Sequence, residues 1–295
     1  MPHKKFAQTL KRINVKNPID ASFVISMEDY DFFDKYERQK GGSKEKNYNI
    51  SYKFEGNKYD FKIYQSTEID RITYSVHNND DENDPQCITI FYDIDQKCCY
   101  IENISVHQRC YRGMEYSKKG TLLMKFVLEF IENYISIKHK VRYIQLKDNS
   151  KKICNSIKES INLDTFYMFV YGDTWYGKYG FVPFDNVKNK TDTVNFQTYK
   201  KNQEIVKNTL IKNVNLKQIL IDAIKNANKK TKTGLKHQNV DKILEKYKDQ
   251  TIQKFMKDLA KYYDKSCAVF YYLNENLILE LNMAKLHGMS YWKKL

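Results

Sequence analysis

Glycine and proline are scarce, at 10 and 4 of 295 residues. That excludes collagen-like and proline-rich architectures. Tryptophan is nearly absent (2) while tyrosine is abundant (24), a skew that accompanies much Lys, Asn and Ile and reflects AT-biased coding, so it carries little functional weight. No stretch reaches the 18 or so uncharged apolar residues of a membrane span, because the best run, 126–135, is interrupted by Glu129 and Glu132. The first ten residues hold basic side chains but no apolar core, so no secretory leader is expected. The six cysteines, Cys87, Cys98, Cys99, Cys110, Cys154 and Cys267, form no C-x-x-C and no Cys/His clusters. They are therefore expected to be reduced thiols of an intracellular, cytoplasmic or nuclear protein, and no zinc site is expected.

What is present suffices for a sizeable core: 41% of residues are hydrophobic and 29% charged. A chain of this length suits one main domain with an appendage. Of the net charge of +14, the segment 201–295 carries +10, from 19 basic and 9 acidic residues. A basic helical surface attracts phosphate backbones or an acidic partner, although lysines on amphipathic helices ordinarily form a solvated face. Lys207, Lys212, Lys217, Lys225, Lys229, Lys230, Lys232 and Lys236 alternate with an apolar face that needs covering.

Along the chain, 20–36 reads as a helix or loop and Gly41-Gly42-Ser43 as a mobile loop. Short β-branched and aromatic runs at 50–54, 59–64, 71–76, 88–92 and 99–104, separated by turns, predict an antiparallel meander. Helical periodicity follows over 121–137, with Lys125, Glu129, Glu132, Asn133 and Ser136 on one stripe, and a strand at 141–146 should run parallel to the one at 99–104. Further on, a short helix is expected near 153–160, a strand at 166–170, helices beyond 204, and a hairpin from 267–273 and 277–281. The expected organisation is an N-terminal segment 1–47, a domain 48–185, a linker 186–203 and a basic, mostly helical extension 204–295 with a terminal hairpin.

Four strings stand in order between Tyr100 and Phe184: Ile101-Glu102-Asn103-Ile104-Ser105-Val106, Gly120-Thr121-Leu122-Leu123, Tyr143-Ile144-Gln145-Leu146 and Tyr176-Gly177-Lys178-Tyr179-Gly180-Phe181. This ordered set resembles the core of the GNAT superfamily, the acyl-coenzyme A-dependent N-acyltransferases. The resemblance implies an α/β (α+β) fold with a mixed central sheet flanked by helices, and acetyl-CoA as cofactor. In that family the turn into the helix cradles the coenzyme's pyrophosphate on backbone N–H groups and the positive end of the helix dipole. Lys118, Lys119, Gly120 and Thr121 would form that cradle here. The family's leading Arg or Gln is replaced by Glu115 and its first Gly by Lys118, with Arg112-Gly113 as a displaced remnant. A gap between splayed strands takes the pantetheine arm, which the main chain of Ile104, Ser105 and Val106 would bind.

Acyl transfer needs a base for the amine proton and an acid for the leaving thiolate. The resemblance places Tyr176 as the acid and Glu102 on the strand that often carries the base. Each has a plain alternative, packing for Tyr176 and solvation for Glu102. His107 and Cys110 lack a third aligned group for covalent catalysis. The acidic run Asp80-Asp81-Glu82-Asn83-Asp84 lacks the spacing of a calcium loop and reads as a solvated hairpin tip. Thr174-Trp175-Tyr176, between Gly172 and Gly180, suggests a tight aromatic structure at a sheet end. Two functions are expected: acetyl transfer to an amine the sequence does not identify, or a catalytically silent GNAT-like module that binds a protein or nucleic acid through 204–295. The composition also resembles that of large nucleocytoplasmic DNA virus proteins, which would place the chain in the host cytoplasm or a virion.

Overall fold

The computed structural model describes residues 21–25, 44–78, 86–105, 108–111, 113–114, 119–184, 194–231 and 240–295, with only the backbone described at 21–25, 44–45, 108, 111 and 263–266. The protein is mixed α/β, with a mostly antiparallel sheet and seven helices among these residues. It divides into two compact units, 1–145 with 294–295, and 146–293.

In the first unit, β1 (Ala21–Ile25), β2 (Lys44–Phe54), β3 (Asn57–Thr67), β4 (Arg71–His77), β5 (Ile88–Asp93) and β6 (Cys98–Ile104) lie side by side in chain order, each antiparallel to the last. This is the expected meander. It begins earlier than expected, because 21–25 is a strand paired with β2 rather than a helix or loop, and β2 takes in residues 44–49. Glu55 and Gly56, at φ 49° and 81°, close the two-residue β2–β3 hairpin, whose turn needs left-handed residues at both positions. Gly41-Gly42-Ser43 and the acidic run at 80–84 lie outside the described residues.

Alternation aims one face of the sheet at a helix. Tyr48, Ile50, Tyr52 and Phe54 on β2, Phe61 and Ile63 on β3, and Ile72, Tyr74 and Val76 on β4 are all buried. The helix α1 (Lys119–Phe130) continues through a π-helical turn, Ile131–Ile135, and a last turn, Ser136–His139. Phe126 meets Tyr52 and Phe61 at ring-centroid distances of 5.3 and 4.4 Å, and Phe130 meets Tyr74 edge-on at 5.6 Å. Glu129 on the polar stripe is still answered, by the Tyr52 hydroxyl donating to it at 3.1 Å. Lys140 ends the helix in the left-handed conformation at φ 53°. The strand β7 (Tyr143–Lys147) then lies next to β6. Arg142 donates its N–H to the Lys97 carbonyl at 2.9 Å, so both strands start side by side, as parallel strands joined by a helical crossover do.

The second unit is built on helices. It contains a small hairpin of β8 (Lys151–Cys154) and β9 (Glu159–Asn162), then α2 (Leu163–Tyr171), a single turn at Gly177–Tyr179, and β10 (Val182–Phe184). Next come α3 (Val194–Asn208), α4 (Leu216–Thr231), α5 (Val240–Tyr247), α6 (Ile252–Ala260) and α7 (Tyr263–Glu280). The strand β11 (Ser290–Lys294) pairs antiparallel with β10. Phe166 and Phe169 of α2, Val206 of α3, Leu220 and Ala223 of α4, Phe255 and Met256 of α6, and Phe270 and Leu273 of α7 share one core. The apolar faces of the basic helices therefore cover 154–170 within their own unit.

Four expectations change here. The helix near 153–160 is the β8–β9 hairpin, turned by Lys158 at φ 58°. The strand at 166–170 is the helix α2, capped by Gly172 at φ 70°; a short apolar run is ambiguous between the two states. The terminal hairpin is the single helix α7, with Asn274-Glu275-Asn276 inside it and Asn274 buried. The linker is helical from Val194 onward, as α3.

The cysteines also depart from expectation. Cys87–Cys110 and Cys154–Cys267 are disulfide-bonded, with Cα atoms 5.2 and 5.6 Å apart, while Cys98 and Cys99 are buried thiols outside these two bonds. Spacing in the sequence could not show this, because the partners stand 23 and 113 residues apart. No described helix is long and apolar enough to cross a membrane.

Candidate functional site

The expected site residues fall on two sets of elements. In the first unit, β6 carries Glu102 and Ile104, Ser105 follows it, and Lys119, Gly120 and Thr121 open α1. Val106, His107, Arg112, Glu115 and Lys118 lie outside the described residues.

The pairing of β6 with β5 is interrupted where the site is expected. Thr89 faces Asn103 but Ile90 faces Ile101, so Glu102 is an extra residue on β6. A bulge of this kind bends its strand and increases the local twist. Ser105 donates its N–H to the Cys87 carbonyl at 2.7 Å. Backbone polar groups of successive strand residues point to opposite edges, so the N–H and C=O of Ile104 turn away from β5, toward the β7 side. Glu102 is exposed. Its charge helps to raise the Arg71 guanidinium, after the larger effect of the Arg71 hydrogen bond with Glu68.

The turn after β6 is tied down at Cys110. Its disulfide reaches Cys87 just before β5, and the Asn78 amide donates to the Cys110 carbonyl at 3.0 Å. Cys110 is therefore a structural cystine rather than half of a nucleophilic pair with His107. The first turn of α1 holds no acidic side chain, which leaves the positive end of the helix without a built-in counter-charge. Gly120 and Thr121 are half-buried there.

Tyr176 belongs to the second unit. Its segment folds as expected for a tight aromatic turn: Tyr179 and Phe181 donate their N–H groups to the Tyr176 carbonyl, and Gly180 ends the turn at φ 86°. The Tyr176 ring packs on Trp175, Tyr291 and Phe181 at 4.7, 5.9 and 6.2 Å. Only 8% of the residue is exposed. Burial pushes its phenol well above the usual tyrosine range, with the Asp148 carboxylate adding to the rise and a Ser150 hydrogen bond opposing it. A phenol held this firmly protonated can donate a proton or hydrogen bond but does not serve as a base near neutral pH.

Beneath Tyr176 lies a polar group that sequence reasoning missed. Asp148 and Asp164 are both fully buried. Asp148 Oδ1 accepts the Ser150 N–H at 2.9 Å and the Ser150 hydroxyl at 2.5 Å, while its Oδ2 has no partner. Burial lifts this carboxyl to about 7, with Asp164 contributing. Asp164, in the first turn of α2, is also raised by burial, against opposing contributions from the Thr165 backbone, His287 and the Leu286 N–H; its Oδ2 too is unpartnered. The only available signal was an Asp set among the apolar residues of 161–170, which periodicity does not flag.

The neighbouring polar contacts are better satisfied. Asp173 Oδ1 accepts the Tyr199 hydroxyl at 2.5 Å and the Thr174 N–H at 2.7 Å, and the Gln203 amide donates to the Tyr199 oxygen and to the Gly172 carbonyl. Among the described residues no group of three or more His, Cys, Asp or Glu side chains could hold a metal ion.

No protein-family model, curated protein or solved structure matches this chain.

Proposed function

We propose that the chain is a GNAT-like acyl-CoA-dependent N-acyltransferase that transfers an acetyl group to an amine. The observation that carries this reading is the bulge at Glu102. It bends β6 immediately before Ile104, on the strand that starts beside β7 and leads into the helix opening Lys119-Gly120-Thr121. A bent strand next to a parallel neighbour supports a gap, and in that gap Ile104 and Ser105 would meet the pantetheine amides, with Val106 continuing the contact. The α1 N-terminus, with Lys118 and Lys119, would take the pyrophosphate. Tyr176, kept protonated by burial, suits the acid that quenches the leaving thiolate, and the exposed carboxylate of Glu102 suits the base.

Thermal unfolding with and without acetyl-CoA tests the reading. A ligand present at about 100 times its dissociation constant stabilises the native state by about 2.7 kcal/mol. No shift at millimolar acetyl-CoA removes the proposal. Where binding is seen, Tyr176→Phe should lower turnover at least tenfold while leaving that shift intact; unchanged turnover removes the acid assignment.

A second reading, a catalytically silent GNAT-like module, is favoured by Glu115 and Lys118 in the cradle and by the enclosed Tyr176 ring. Its contact surface would be the basic helices of 204–295, facing a protein or nucleic acid. A host-cytoplasm or virion setting belongs to either reading. The cytoplasmic argument from reduced thiols does not support it, because four of the six cysteines are paired.

A further inference from the structure

The end of α2 and the turn after it gather aromatic rings around an ammonium. Tyr167 and Tyr171 stand four residues apart on α2, with ring centroids 4.9 Å apart. Gly172 at φ 70° ends the helix, and the Gly177–Tyr179 turn brings the Tyr179 ring to 5.6 Å from Trp175, the two ring planes crossing at 79°. That turn is built to hold its shape. Gly177 donates its N–H to the Thr174 hydroxyl at 3.0 Å, and a Cβ on Gly177 would collide with the Asp173 carboxylate. Trp175 is fixed in turn by the buried Tyr176 ring at 4.7 Å.

Lys178 places its Nζ 4.7 Å from the Tyr179 centroid, 5.1 Å from Trp175 and 5.4 Å from Tyr167. Each distance is within the range of about 6 Å over which a ring face attracts a cation. One lysine stem lying over one ring is ordinary packing. Three rings around a single nitrogen, two of them nearly at right angles, make the walls of a cation cage. The cage is open to solvent, because Lys178 is exposed, Tyr167 and Tyr179 are half-buried and Tyr171 is 51% exposed.

A primary ammonium is compact and strongly hydrated, and ring faces do not replace the hydrogen bonds it gives to water. A trimethylammonium group carries the same charge behind apolar methyl groups. It therefore gives up little hydration and adds apolar contact with each wall. Lys178 belongs to the turn that builds the cage, so it reaches the rings as a tethered side chain at high effective concentration and fills them until a better cation displaces it.

We propose that Tyr167, Trp175 and Tyr179 form a binding cage for a trimethylammonium group, that of choline or of a trimethylated lysine, with Lys178 as its internal plug. This ligand is not the acetyl acceptor of the reaction proposed above, because a quaternary nitrogen has no lone pair with which to attack a thioester. The inference is independent of coenzyme binding.

The chain has two tryptophans, so NMR of its indole N–H groups reads the cage at Trp175 with Trp292 as an internal reference. Choline and Nε-trimethyl-lysine should each shift the Trp175 indole, and Lys178→Ala, a change at an exposed position, should tighten both by about tenfold. Neohexyl alcohol, the uncharged isostere of choline, should bind at least about tenfold more weakly than choline. Whichever of the two cations binds more tightly names the source of the group. A Trp175 indole that neither cation moves, in the unmodified protein or in Lys178→Ala, overturns the proposal. So does equal binding of the neutral isostere, a comparison that needs no variant, or an affinity that Lys178→Ala leaves unchanged or weakens.

Discussion

Phe126 joins the sheet of the first unit to its helix. It is fully buried between Tyr52 on β2, Phe61 on β3 and Phe130 one turn along α1. Truncation there removes ring contacts to two strands at once, so Phe126→Ala should cost about 3–5 kcal/mol in urea unfolding. A loss below about 1 kcal/mol would mean that α1 is not the cover of this sheet face. Such core residues were legible because periodicity reports burial: Leu122, Met124, Phe126 and Leu128 are where the helical pattern puts them. Asp148 and Asp164 were not legible, because a buried carboxylate is dictated by tertiary neighbours such as Tyr291 and the Leu286 N–H, which are remote in sequence. Tyr176 was legible as part of a string but not in its surroundings.

Among elements, β4, β5 and β6 were read to within a residue at each end because their hairpins are short and their strands alternate, whereas β2 and β3 run several residues longer than expected and β1 was missed. Errors gathered where a short apolar run could take either period, as at α2, and where Asn residues suggested a turn that an 18-residue helix overrode, as at α7. The bulge of β6 was invisible, because one extra residue leaves no mark in composition. It also makes a separable prediction. Deleting Glu102 leaves Ile101 facing Ile90 and Asn103 facing Thr89 and so restores regular pairing with β5. Circular dichroism should report an intact fold, while calorimetric affinity for acetyl-CoA should fall at least tenfold. A deletion variant that binds as well as the parent would show that the bend of β6 makes no binding gap.

For the molecule as a whole, the division at Gln145–Leu146 assigns each disulfide to one unit. Cys154–Cys267 ties the β8–β9 hairpin to α7 across 113 residues, and the Ser156 hydroxyl contacts both sulfurs at 3.2 and 3.3 Å. Such a cross-link restricts the unfolded chain, so the paired change Cys154→Ser with Cys267→Ser should lower the stability of the second unit by about 2–5 kcal/mol. The check is a denaturation curve with and without reductant: the parent should move toward the double variant on reduction, and a parent insensitive to reductant would contradict the bond's contribution. Some lysines of the basic segment are offset in exposed surface pairs such as Lys212–Asp249 and Lys217–Asp241, which add little stability singly.

The most direct test of the proposed function is amide NMR of the full chain titrated with acetyl-CoA. Shifts concentrated at Ile104, Ser105, Gly120 and Thr121 are the predicted result, because the strand bend and the helix opening would be the two ends of one coenzyme site. Saturating coenzyme that leaves these four amides unmoved, or that moves only lysine-rich surface positions in 204–295, would contradict it.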